Sequence, residues 1–153
     1  MAKINASPIE PLAAGLSGPL VLGDASLRNG KLHCVVKTLD LSAQAVINAG
    51  DTIDWGGLPK GAVVIGTAFN PSVSLGAATL DLGRQVGSVL TVAAYRAAAT
   101  YQTPDVPAWG LKATAFGQFQ PANCRLVSTV AAASLPNAGI LTHVILYTTP
   151  HGG

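Results

Sequence analysis

Charge is what this chain lacks most. Of 153 residues, 9 are Lys or Arg and 7 are Asp or Glu, so charged side chains make up 10%, against roughly 25% in an average soluble domain. Glutamate occurs once, at Glu10. This shortage excludes a helical bundle or coiled coil, which draws heavily on Glu, Lys, Leu and Arg. A disordered chain is excluded too, because it needs low hydrophobicity and high net charge, whereas here 49% of residues are hydrophobic and the net charge is +2. The weak, scattered positive balance offers no basic stripe for nucleic acid. Aromatic residues, at 5%, are few and are not interleaved with Lys or Arg along strands as stacking platforms for single strands require. Cysteine is nearly absent. Cys34 and Cys124 lie far apart without C-x-x-C spacing, and read as two reduced thiols packed as small apolar residues.

Long unbroken apolar runs are also missing. Residues 61–80 and 126–142 carry no charge, but Asn70-Pro71 and Gly76 interrupt the first and Leu135-Pro136-Asn137-Ala138-Gly139 the second. A membrane-spanning helix needs ~20 predominantly apolar residues, so each run reads as two strands and a turn, and no membrane partner is expected. The start, Met1 to Pro8, has one basic residue and no apolar stretch behind it, which is not a secretory signal. The expectation is a soluble chain.

What the sequence does have is turns. Its 17 Gly and 10 Pro punctuate short apolar segments. Residues 1–31 carry Pro8, Pro11, Gly15, Gly18, Pro19, Gly23 and Gly30 around the patch Pro19-Leu20-Val21-Leu22. Proline this frequent forbids a helix and leaves an extended arm with one edge strand. From Leu32 to Leu41 apolar residues alternate, with Leu32, Cys34 and Val36 on one side, as in a strand with one buried face. Ala45-Val46-Ile47 starts another strand, and Thr52 to Trp55 a short one. Ala62 to Phe69, rich in β-branched residues, reads as a strand buried on both faces. Ser72–Leu75, Ala78–Leu82, Leu111–Phe119 and Arg125–Ala132 follow as strands, and residues 100–110 as a loop. The alanines of Val89–Ala99 would tolerate a helix as well, and its β-branched Val89, Thr91 and Val92 tilt it to a strand. Ile140 to Tyr147 is the strongest strand of all. Merged around turns, these segments predict about eight strands, the number in a two-sheet sandwich or jelly roll. The expected fold is therefore all-β: a jelly-roll-like β-sandwich over residues 32–150, preceded by the arm at 1–31.

Catalytic constellations fail one by one. Gly15-Leu16-Ser17-Gly18 misses the spacing of a nucleophile elbow, and no glycine-rich loop ends in Lys-Ser or Lys-Thr. His33, His143 and His151 are isolated, and His33 and Cys34, as neighbours on a strand, point to opposite faces. No metal set is expected. Asp51 and Asp54 flank Thr52-Ile53, where Asp51 reads as a turn cap and not half of an acid–base pair. No enzyme and no cofactor are expected. Trp55 and Trp109, in or beside Gly-rich turns, read either as interface anchors or as covers for the ends of the sandwich, tryptophan being enriched at interface hot spots.

The succession Ala49-Gly50-Asp51-Thr52-Ile53, Gly57-Leu58-Pro59-Lys60-Gly61-Ala62-Val63-Val64 and Gly76-Ala77-Ala78-Thr79-Leu80-Asp81-Leu82-Gly83 resembles the small proteins that decorate or cement the heads of tailed bacteriophages. Ala133 to Thr142, running into the strand that ends at Tyr147, is similar too, so the resemblance spans about residues 45–148. It implies a jelly-roll module without catalytic residues, assembled in the host cytoplasm. Such a module forms a homo-oligomer, a trimer ahead of a dimer, on the capsid exterior and staples neighbouring major capsid protein subunits. The physics of the surface agrees. Burying unpaired charge is costly, so a subunit that meets neighbours on several sides does best with little of it. A proline-rich arm also loses less entropy when it is ordered on a partner. The expected contacts are Ile9, Leu12, Leu16 and Leu20 of the arm, with the loops around Trp55 and Trp109. The alternative from another class is a carbohydrate- or receptor-binding module of a phage fibre or tail, for which Trp109 near Asp105 is the one candidate groove.

Overall fold

The computed structural model describes residues 31–149. The arm, with Ile9, Leu12, Leu16 and Leu20, lies outside the described residues, as does the edge strand expected at Pro19–Leu22. The described chain forms eight strands and no helix: β1 Lys31–Asp40, β2 Thr52–Leu58, β3 Val63–Pro71, β4 Thr79–Val86, β5 Val89–Thr100, β6 Ala108–Trp109, β7 Cys124–Ala131 and β8 Ile140–Thr149. They make two four-stranded sheets, ordered β1-β8-β3-β6 and β2-β7-β4-β5. Every pairing is antiparallel. Apart from the β4–β5 hairpin, each strand is followed by one in the opposite sheet. That alternation is the double Greek key of a jelly roll.

The core lies between the sheets. Val64 and Phe69 of β3 and Leu141 and Ile145 of β8 face Leu58 of β2, Leu80 and Leu82 of β4, and Leu126 and Val130 of β7, all of them buried. Burying one such side chain contributes about 1.5–3 kcal/mol, so the two inner faces hold the sheets together without help from ion pairs. The single ion pair among the described residues, Arg125 with Asp54, sits on the surface, where such pairs contribute little.

Sheet B, the β2-β7-β4-β5 sheet, is organised by one buried carboxylate. Asp81 is 1% exposed. Its Oδ2 accepts the Ala93 N–H at 2.7 Å and its Oδ1 the Thr129 N–H at 2.6 Å. These bonds fill places where the ladders lapse. The β4–β7 pairing skips from Leu80↔Val130 to Gly83↔Val127, and the β4–β5 pairing from Leu82↔Arg96 to Arg84↔Thr91. Residues 92–95 therefore bulge over β4, with Ala93 at a φ of 52°. Gly83 lies directly beneath. A Cβ there would sit 2.5 Å from the Thr91 carbonyl oxygen, so only glycine permits the crossing.

Three expected strands are loops. Residues 45–48 are tied by the Asp51 carboxylate, which accepts the Asn48 N–H at 2.7 Å, the turn-capping role read from the sequence. Ser72–Leu75 alternates because it is pinned at its ends: Ser72 exchanges bonds with Ile140, and the Leu75 N–H donates to Tyr101. Residues 111–119 form consecutive turns through Lys112 and Ala115 carbonyls, leaving Phe116 and Phe119 exposed. Conversely, the 100–110 loop contains the two-residue strand β6. In β1 the expected faces are exchanged. Val35 and Leu39 pack on the core, while Leu32, Cys34 and Val36 face outward.

Replacing Asp81 by Asn keeps one acceptor and sets an amide N–H₂ against a backbone N–H. Because hydrogen bonds to a charged group contribute about 1.5–3 kcal/mol, Asp81→Asn is expected to lower the urea midpoint by the equivalent of about 2 kcal/mol with an unchanged m-value.

Candidate functional site

The site begins with β8, which is apolar on both faces. Its odd-numbered side chains Leu141, His143 and Ile145 are buried between the sheets. Its even-numbered ones, Thr142, Val144, Leu146 and Thr148, must then point away from the core, since neighbours on a strand alternate. The register extends this outward face across the other strands. Val36 pairs with Val144, Val144 with Ala68, and Ala68 with Trp109, a row that crosses all four strands, although Ala68 itself is covered, at 1% exposure. The next row is Cys34, Leu146 and Gly66, and the one after it Leu32, Thr148 and Val63. Not one of these residues is charged.

Trp109 crowns the surface. It is 57% exposed, and a Cβ on Gly66 would come within 3.7 Å of both the Trp109 ring and the Leu146 Cδ1. The indole thus lies against the sheet beside Gly66 and Leu146. Leu32 at 63% and Val36 at 55% are as open, and Cys34 between them is exposed with a free thiol. Strands ~4.8 Å apart with ~3.3 Å per residue give this face a projected area on the order of 300–400 Å². Contiguous apolar patches of ~300–600 Å² are the largest that ordinary monomers show and often mark a contact site.

The structure separates the two tryptophans. Trp109 is on the surface, as expected, but Trp55 is not on an exposed turn. It is 5% exposed, its indole N–H donates to Ser128 Oγ at 2.8 Å, and its ring packs on Phe69 and His143 at 5.9 and 5.0 Å between centroids. A bulge between Asp54 and Gly56 turns it inward. Trp55 is a core residue, and the contact expected of it is corrected. Asp105 is exposed in the turn before β6 with a φ of 56°, and its N–H donates to Pro71 O.

Around Trp55 the core holds polar groups that sequence reasoning missed. His143 stacks on Phe69 at 4.8 Å. The Arg96 guanidinium lies over the Phe69 and Tyr101 rings, 5.6 and 5.1 Å from their centroids, and donates to the Ala108 carbonyl. Burial disfavours a charged imidazole and the Arg96 cation opposes it further, so the His143 pKa is pushed down from 6.5 to about 4. Its Nε2 has no partner among the described residues. The signal available in the sequence was position alone: His143 falls on the same side of β8 as Leu141 and Ile145.

No protein-family model and no curated protein sequence matches the chain. Two solved structures share its fold. A chain from the capsid of Ralstonia phage GP4 is 19% identical, superimposes with a TM-score of 0.62, and aligns over 80% of this chain and 86% of its own. A chain from the capsid asymmetric unit of cyanophage Pam1 is also 19% identical, with a TM-score of 0.60 over 79% and 86%.

The buried histidine gives a pH dependence of defined sign. As pH falls below about 6.5, the unfolded chain takes up a proton that folded His143 refuses until about pH 4. The contribution of His143 to stability is therefore full above pH 6.5 and is lost between 6.5 and 4, by an amount on the order of 3 kcal/mol. Urea titrations across this range are expected to show that decline, and His143→Phe, which keeps the stacking, is expected to flatten it.

Proposed function

We propose that this chain is a virion structural protein that decorates or cements a phage capsid, bridging major capsid protein subunits from the outside as a homo-oligomer. The observation that carries this reading is the shared fold: four fifths of the chain superimposes on chains from two phage capsids. A jelly roll serves many functions, so the surface has to add its own argument, and it does.

The outward face of the β1-β8-β3-β6 sheet offers on the order of 300–400 Å² of uncharged surface, about half of the ~800 Å² per partner in a standard interface. A second element must supply the rest. The arm fits that need, with Ile9, Leu12, Leu16 and Leu20 spaced among prolines and glycines. Trp109 has the character of an anchor: a large, rigid, exposed ring surrounded by uncharged neighbours.

Two measurements test this. Deletion of residues 1–25 is expected to leave a folded domain, by circular dichroism, that no longer co-sediments with empty phage heads. Trp109→Ala is expected to weaken co-sedimentation about 30-fold or more, as loss of a hot-spot residue does. Undiminished binding by both variants would refute the contact surface, and failure of the intact chain to bind any head would refute the cement role. Light scattering on the purified chain distinguishes a trimer or dimer from a monomer.

A further inference from the structure

A second site lies away from that face, where β4 and β5 meet the turns at 112–121. A cleft of about 400 Å³ opens there, lined by Arg84, Thr91, Tyr95, Gln118, Phe119 and Gln120 among others. The volume is within the ~300–1,000 Å³ range of ligand sites. Arg84 is half-buried in its wall. The Arg84 Nη1 donates to Gln120 Oε1 at 3.2 Å, and Gln120, itself 4% exposed, also accepts from the Cys124 thiol at 3.5 Å. Tyr95, equally buried, reaches the same thiol with its hydroxyl at 3.9 Å. This chain of polar groups fixes where the guanidinium stands.

Among the described residues the guanidinium has no counter-charge. The one ion pair among the described residues joins Arg125 to Asp54, so no carboxylate of the described chain neutralises Arg84. A cation partly removed from water without an anion is an unfavourable arrangement that a ligand carboxylate would relieve, and the planar guanidinium fork matches a carboxylate in two parallel hydrogen bonds. Thr91, Thr114 and Gln118, exposed in the lining, supply further donors. Among these polar groups one large apolar side chain stands open: Phe119, in the lining, is 59% exposed, with Ala94, Ala115 and Pro121 completing the wall.

We infer that this cleft binds a carboxylate carried on an apolar stretch of polypeptide. Arg84 takes the carboxylate, and Phe119 packs on a flanking apolar side chain. A single guanidinium with no second cation in the lining suits one negative charge better than a phosphate. The exposed Phe119 ring favours a peptide side chain over an acidic sugar. The site goes beyond the capsid role and does not depend on it.

The test uses the full chain and defined probes. Resonances of the Arg84 side chain and of Thr91 and Gln118 are followed by NMR during titration with N-acetyl-phenylalanine, its neutral amide, and glucuronic acid. The acid is expected to give saturable shifts at these residues at millimolar concentration, weakened by salt, with the amide binding at least 10-fold more weakly. Arg84→Gln is expected to lose the acid response at least 10-fold and Phe119→Ala about 3-fold. Equal responses to acid and amide, or no saturable shift with the acid, would overturn the site. Tighter binding of glucuronic acid than of the amino acid would overturn the peptide assignment in favour of an anionic glycan. Should Arg84→Gln fail to fold, the acid–amide comparison on the unaltered chain decides. None of these outcomes depends on capsid binding.

Discussion

A strand that is apolar on both faces cannot hide both of them in a two-layer sandwich. β8 is such a strand: Leu141, His143 and Ile145 fill the core, and Val144 and Leu146, by alternation, are turned outward. Its place between β1 and β3 then carries the consequence across the sheet, because partners in register share a face. Val36, Cys34, Ala68, Gly66 and Trp109 all lie on the same side as Val144 and Leu146. With so few ionic groups in the chain, none is placed here to break the patch. The fold thus buries one apolar surface and presents another.

The second sheet solves a different problem. It contains irregular ladders on both sides of β4, and irregular ladders leave backbone donors without partners. Asp81 supplies both missing acceptors from one side chain, and Gly83 lets the bulged β5 pass close above. These two residues hold the bulge that brings Tyr95 and Thr91 to the edge of the cleft lined by Arg84. The structural carboxylate and the candidate binding arginine are thus linked through one distortion of one strand.

Much of this was legible in the sequence. The all-β class, the jelly-roll architecture and the segments that became β1, β3, β4, β5, β7 and β8 follow from apolar alternation and from turns at Gly and Pro. What escaped was whatever depends on partners distant in the chain. β6 is two residues long and exists only because Ala68 and Phe69 lie beside it. Ser72–Leu75 alternates like a strand, yet its anchors are Ile140 and Tyr101. The outward face of β1 could not be told from the inward one, since Leu32, Cys34 and Val36 are as apolar as Val35 and Leu39. Trp55 had a sandwich-end alternative from the start, and only the bulge before Gly56 and the hydroxyl of Ser128 place it in the core. Arg84 gave no sequence signal, because its cleft is built by turns at 112–121 that read as a strand.

Cys34 reports directly on whether the outward sheet is a contact surface. It is exposed within the second row of that face, whereas the other cysteine, Cys124, is buried, so a maleimide added to the folded chain reads Cys34. Its labelling rate should be compared for the free chain and for chain that co-sediments with empty phage heads. The account predicts a rate at least ten times slower in the bound state. An unchanged rate in chain that is demonstrably bound would mean that the apolar face stays open to water, and would contradict it.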